Sequence, residues 1–378
     1  MIPAKIAFLT GFPGFLAMRM IRRLLADPRY AQVLMLVDEL QARELEELIA
    51  SLPLEDGARI VPFYGKEGCM DLGLAGSEVQ RLTEEVTSFW HLSAADWPDM
   101  EAALEAQPLV EGVRELLAIA REARRLERLC YFSSAFVSGR RQGVILEEEL
   151  EMGQRFRSPC EEVRYRAELE VAQAVEELPI TIFRPTIVVG DSRTGELDRL
   201  GVTCSVVDSL VHGLREATSL PGGGEWPLHL VPVDFVIEAA FTIAHLPEGA
   251  RRTFHLADPN PLPTRRVVEL VTHQLQRRGQ SRSLTARLAR TLGELPWMQG
   301  RAVGPRNLLE YFDQPVYYRT ANLLAILNNM PLRCPPFEDY AEVLVEHVRS
   351  AREERSQAPR QQTRPGWDPM PRHRLPTK

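Results

Sequence analysis

Short, almost wholly apolar runs alternate along this chain with longer stretches in which apolar residues recur at helical spacing. The runs at 4–9 (AKIAFL), Val33–Val37, Arg59–Phe63, Thr87–Leu92, Leu129–Phe132 and Ile180–Phe183 are predicted as strands. Because they are continuous rather than alternating, they are predicted to be buried on both faces. Between them, amphipathic periodicity predicts a helix through Leu25, with Met18, Ile21, Leu24 and Leu25 on its apolar face. Further helices are predicted over 41–51, Ser77–Glu85, Val110–Ala123 and Ser158–Glu177. Parallel strands need crossover connections, so this alternation predicts an α/β fold with a doubly wound parallel sheet. After Gly190 the order loosens. Leu228–Val233 and Thr253–Leu256 read as strands around a helix at Phe235–Ala244, and Pro261–Ser350 as mostly helical. The expected organisation is a sheet domain over 1–190 with 228–256 contributing, and a smaller, mostly helical substrate or cap lobe from 191–227 and 257–350. A Pro-, Gln- and Arg-rich disordered tail is expected over 351–378.

The first predicted strand runs into Thr10-Gly11-Phe12-Pro13-Gly14-Phe15-Leu16-Ala17, at the strand–helix junction where a glycine fingerprint has physical meaning. Gly11 makes the tight turn, Gly14 admits a pyrophosphate to the backbone, and Ala17 permits close packing of helix on strand. The phosphates then face the unpaired N–H groups of a helix N-terminus. These features predict a Rossmann-type dinucleotide site. Asp38 ends the second strand, where a carboxylate accepts from a ribose 2′-hydroxyl and repels a 2′-phosphate. That favours NAD over NADP.

Composition narrows the classes. Apolar residues make up 44% and charged residues 26%, an ordinary globular balance, and the net charge of −7 gives no general pull toward nucleic acid. No basic motif face is present, no metal site is expected, and no apolar run reaches the roughly 18 residues of a membrane span. The five cysteines are scattered without a CxxC pair, which favours reduced thiols and a cytoplasmic location.

Together, TGFPGFLA (10–17), VPFYG (61–65), WHLSA (90–94), VEG (110–112), YFSSAFVSGRR (131–141), IFRPTIVVGDSRTG (182–195), LVPVDFV (230–236), FHLADP (254–259) and RCPPFEDY (333–340) resemble the extended short-chain dehydrogenase/reductase superfamily. They look closest to its thioester-reductase and fatty-acyl-CoA-reductase-like branch. The resemblance implies cofactor contacts at Thr10, Gly11, Phe12, Pro13, Gly14, Phe15, Leu16, Asp38, Leu92, Ser93, Arg164, Pro185 and Thr186. It also implies a site in which Ser polarises a carbonyl, Tyr donates a proton, Lys holds the ribose and lowers the Tyr pKa, and Asn organises water. Ser134 matches the Ser. Cys160 stands at the Tyr, Arg164 at the Lys and Leu109 at the Asn. Asp38 departs from an Arg common in the branch, and Lys66 replaces an acidic residue. A homodimer through the helices at 110–123 and 158–177 is a further expectation from the resemblance.

Ser158-Pro159-Cys160-Glu161 reads as a capping box with Ser at N-cap, Pro at N1 and Glu at N3, which fixes the helix register. Cys160 and Arg164 then share one face. The lysines are Lys5, Lys66 and Lys378, so no Tyr has Lys four residues on and no shift of register restores the pair. A thiol ends near Cβ, whereas a phenol reaches ~4 Å further, beyond the hydrogen-bond reach general acid catalysis needs. Arg164 can still hold ribose hydroxyls, although a planar guanidinium is not an ammonium. The sequence therefore leaves three readings. The first is a dinucleotide-binding protein without turnover or with an atypical site. The second is an active oxidoreductase on a small acyl-thioester, aldehyde or hydroxyacyl substrate, using Ser134 with water or a substitute acid. The third is a thiol enzyme using Cys160, with His91 as its base. Ser133 reads as a packing or loop residue.

Overall fold

The computed structural model describes residues 4–93, 106–197, 221–277, 311 and 314–357. The chain begins with β1 (Lys5–Thr10), α1 (Phe15–Leu25), β2 (Tyr30–Val37), α2 (Ala42–Ala50), the single turn α3 (Leu54–Gly57), β3 (Ile60–Tyr64), α4 (Gly76–Glu85) and β4 (Ser88–His91). It continues through α5 (Ala106–Glu122), β5 (Arg128–Phe132), β6 (Gly143–Ile145), α6 (Pro159–Gln173), β7 (Ile180–Pro185) and β8 (Ile187–Val189). The remaining elements are β9 (Leu230–Pro232), α7 (Val233–Ala244), β10 (Arg252–Leu256), α8 (Thr264–Arg277), β11 (Val316–Tyr318), α9 (Ala321–Leu327) and α10 (Phe337–Gln357).

Seven strands form one parallel sheet in the order β10-β7-β5-β4-β1-β2-β3. The predicted α/β class and doubly wound architecture are present. Strand order reverses at β1, whose neighbours are β2 on one side and β4 on the other, and such a switch point opens a crevice at the carboxyl ends of the strands. Side chains of one strand supply two separate cores, as the pleat requires. Ala7 and Leu9 face α1 and α7, in a core that includes Met20, Trp90, Val236 and Phe241. Phe8 faces the opposite way, into a core with Leu82, Val113, Leu129 and Val171 from the α4, α5 and α6 side. A third core, with Val189, Leu230, Val267, Tyr340 and Leu344, joins β8 and β9 to α8 and α10.

Three expectations shift. The strand expected at Leu228–Val233 is only Leu230–Pro232, and it pairs with β8 in a separate ribbon instead of joining the main sheet. Pro232 is its last residue, and proline offers no ladder N–H. The helix expected through Glu177 ends at Gln173, where the amides of Ala174 and Val175 turn to carbonyls three residues back. Residues 351–357, expected to lack structure, instead continue α10 to Gln357. Residues 358–378 lie outside the described residues, as do 198–220 of the expected cap lobe. A parallel ribbon of β6 with β11 was not foreseen.

Candidate active site

The glycine turn sits at the switch point. Gly11 has φ +95°, and a Cβ there would lie 2.8 Å from Leu92 C and Ser93 N, so the end of β4 presses directly on the turn. Gly14 donates to Gly11 O at 2.8 Å and serves as N-cap of α1, with no side chain capping that terminus. A helix N-terminus of this kind favours an anion, and the Gly11 cradle leaves room for one to approach the backbone beside it. These residues fit a dinucleotide pyrophosphate. Phe12 and Leu16 are buried in the α1 core, Pro13 is exposed, and Phe15 is half-buried.

Asp38 lies at the end of β2, beside this turn. Its carboxylate accepts from Leu40 N at 3.0 Å, and Gln41 Oε1 accepts from Asp38 N at 3.3 Å, so Asp38 caps the 3-10 turn Glu39–Gln41. Capping commits one carboxylate oxygen and leaves the second available to a ribose.

Beneath the turn runs a part-buried polar chain. Ser93 Oγ donates to Glu67 Oε1, Thr10 Oγ1 lies 3.0 Å from Ser93 Oγ, and His91 Nδ1 lies 2.7 Å from Thr10 Oγ1. Each hydroxyl has one proton, so Glu67 sets the direction: Thr10 donates to Ser93, and His91 donates from Nδ1 to Thr10. The side chains of Thr10 and Leu92 are turned into the protein and can offer a cofactor only their backbone. Burial holds His91 neutral, against the pull of Glu67. Its ring stacks on Tyr131 at 5.5 Å, and its Nε2 makes no hydrogen bond. His91 thus spends Nδ1 on Thr10, and no bond ties it to Cys160 among those described.

The second half of the site is held by charges. Ser133 and Ser134 follow β5. Ser134 N-caps the 3-10 turn Ala135–Ser138, its Oγ accepting from Phe136 N at 3.3 Å. That turn packs on α6. Ser133 Oγ donates to Glu168, which is fully buried and pairs with Arg184 of β7 at 2.6 and 2.8 Å. Arg184 also donates to Glu149 O at 2.9 Å and Glu147 O at 3.3 Å. Ser133 is therefore a buried hydrogen-bonding residue, not a loop filler. Cys160, Arg164 and Glu168 stand at i, i+4 and i+8, one stripe of α6 rising about 6 Å per step. The bond at Glu168 turns that stripe toward the end of β5. The Arg164 guanidinium, accordingly, works against the burial that pushes the Tyr131 phenol well above its ordinary pKa.

The start of α6 follows the predicted capping box with one change. Ser158 Oγ accepts from Glu161 N at 3.3 Å, and Pro159 opens the helix. Glu161 reaches back to Arg157 N at 2.8 Å instead of the N-cap amide. It also accepts from Arg157 Nη1 at 3.3 Å and from the Tyr311 hydroxyl at 2.9 Å. Cys160 is half-buried and not in a disulfide, and Leu109 is a core residue of α5. Pro185 and Thr186 close the floor where β7 ends, with Thr186 N donating to Leu256 O at 3.2 Å and Thr186 Oγ1 buried without a partner. Glu147, Glu168, Arg184 and Tyr311 were not read from the sequence as site residues. The one signal that could have found any of them is the i+8 spacing of Glu168 from Cys160.

The sequence model of the male sterility protein family, an NAD-binding domain family, matches residues 9–240. Fatty acyl-CoA reductase wat of Drosophila melanogaster is 25% identical, covering 64% of this chain and 54% of that protein. Glycine betaine reductase ATRR of Emericella nidulans is 25% identical over 70% of this chain and 22% of its own length. The chain thus spans about half, or less, of the length of these relatives. Among solved structures, the terminal R domain of the myxalamid PKS-NRPS pathway aligns with TM-score 0.74 at 24% identity, over 93% of this chain and 92% of that one. Gre2 of Candida albicans in complex with NADPH aligns with TM-score 0.62 at 14% identity, over 92% and 99%. No helix among the described residues is long and apolar enough to cross a membrane. With its glycine turn at the switch point and the family match running from β1 into α7, this chain belongs to the male sterility protein family of NAD-binding domains.

Proposed function

We propose that this chain binds a nicotinamide dinucleotide in an atypical reductase site, in which positions 160 and 164 do not carry out phenol–ammonium proton transfer. One observation carries the reading. The glycine cradle at Gly11 is complete, while the α6 stripe facing the end of β5 presents Cys160 and Arg164. The dinucleotide, when bound, supplies or accepts hydride. Arg164 holds ribose hydroxyls by hydrogen bonds, and the backbone of the glycine turn and α1 holds the pyrophosphate. The free carboxylate oxygen of Asp38 supports NAD(H). The NADPH held by a protein of the same fold puts NADPH on an equal footing in any test.

A second reading, reduction of a small acyl thioester, aldehyde or hydroxyacyl compound, is supported by the Ser134 hydroxyl and by the Tyr311 ring packed on Phe136, two residues after it. The relatives' names, fatty acyl-CoA reductase among them, point to the thioester class. Fluorescence titration of the purified chain with NADH and NADPH tests the binding reading, with saturable binding of at least one as the expected result. Absence of binding by both overturns it. Hydride transfer to short-, medium- and long-chain aldehydes and their CoA thioesters then separates an inert member from an active one.

A further inference from the structure

The phenol missing from position 160 has a counterpart from elsewhere in the chain. Tyr311 lies far from α6 in sequence, yet its hydroxyl donates to Glu161, the residue beside Cys160, at 2.9 Å. Its ring packs edge-on against Phe136, two residues after Ser134, at 4.9 Å between centroids. The Arg157 guanidinium lies 5.7 Å from the same ring. The Tyr311 phenol is thus wedged between the two elements that present Ser134 and Cys160. Both Arg157 and Arg164 bear electrostatically on it.

From this placement we propose that Tyr311 is the proton donor of the site, replacing the phenol that position 160 lacks. The inference rests on the turnover reading above. Hydride that a bound reduced dinucleotide would supply to a substrate carbonyl carbon would break the C=O π bond. The carbonyl oxygen takes the proton of the Tyr311 O–H and becomes a hydroxyl. The phenolate left behind is countered by the Arg157 and Arg164 charges and regains a proton from water. Glu161 is a positioning residue. It accepts the Tyr311 hydrogen bond; burial first, and then Glu161, raise the phenol's pKa well above the ordinary value, and the Arg157 and Arg164 charges oppose that rise.

The test uses the full chain, NADH and NADPH, and the aldehyde and CoA-thioester panel. Tyr311→Phe keeps the ring and removes the proton. The expected result is a kcat at least ~100-fold lower, with KM and dinucleotide affinity changed by no more than about threefold, since positioned acid catalysis contributes about 10²–10⁴-fold. A direct readout independent of turnover is ring-carbon NMR of tyrosine-labelled protein, in which the resonance lost in Tyr311→Phe identifies Tyr311. In Glu161→Gln its titration should move to lower pH, and the alkaline limb of kcat should move with it. Unchanged kcat in Tyr311→Phe, or a Tyr311 titration indifferent to Glu161→Gln, overturns the proposal. Wild-type protein that binds a dinucleotide but turns over no member of the panel also overturns it while leaving the binding reading intact. Failure to bind either dinucleotide instead removes the binding reading itself.

Discussion

The two halves of the site are built by different physics. The dinucleotide half is shaped by backbone: a left-handed glycine pressed by the end of β4, a helix N-terminus capped by glycine, and a strand-end carboxylate that caps its own turn. The catalytic half is shaped by buried charge: Glu168 between Ser133 and Arg184, Arg184 on two loop carbonyls, and Glu161 gathering Arg157 and Tyr311. A backbone-built site tolerates exchange of most side chains around it but not of its glycine. A charge-built site fails when one partner is removed, because the other is left buried and unpaired.

The largest break should come at Glu168. Glu168→Ala leaves Arg184 buried opposite nothing, and denaturant unfolding is expected to show a loss of about 3–5 kcal/mol. A loss under 1 kcal/mol would mean that the charge ladder does not organise this half. Glu147 sharpens the same point through pH. Burial raises its carboxyl to about 7, although it accepts from Asn322 N at 2.7 Å and His255 N at 3.2 Å. The folded state holds this proton more tightly than the unfolded chain. Its stabilising contribution is therefore complete below the ordinary value of 4.5 and is lost as pH rises through about 7. Relative to Glu147→Gln, the wild type should lose up to about 3 kcal/mol between those limits, measured by urea unfolding across pH. A difference independent of pH would count against a raised carboxyl. The backbone half breaks at Gly11→Ala, where the new Cβ meets Leu92 and Ser93 at 2.8 Å. Dinucleotide affinity should fall by at least about 100-fold, or about 2.7 kcal/mol, in the same fluorescence titration. Retained affinity would show that the cradle is not the binding determinant.

The same contrast explains what the sequence made legible. Gly11, Gly14 and Asp38 declare themselves because a strand–turn–helix junction admits few residue types, and continuous apolar runs report a sheet buried on both sides. The capping box at Ser158 gave the register of α6 correctly, since N-caps are local. Glu168 did not show, because a glutamate in mid-helix reads as a solvated residue until its partner on another strand is known. Arg184 sits inside an apolar strand for the same unread reason. The β6–β11 ribbon was equally hidden: strands of this length carry no periodic signal, and their pairing joins distant parts of the chain.

That ribbon sets an order of assembly. The glycine turn, Asp38, Glu67 and Ser93 all lie within the first four strands, and their contacts close over modest chain separations. β6 finds its partner only at Val316–Tyr318, Glu147 finds Asn322, and Glu161 finds Tyr311. Closing such long loops costs entropy before any contact repays it. As the chain emerges, then, the nucleotide half can form early, whereas β6 and the start of α6 wait for the last quarter of the sequence to complete the catalytic half.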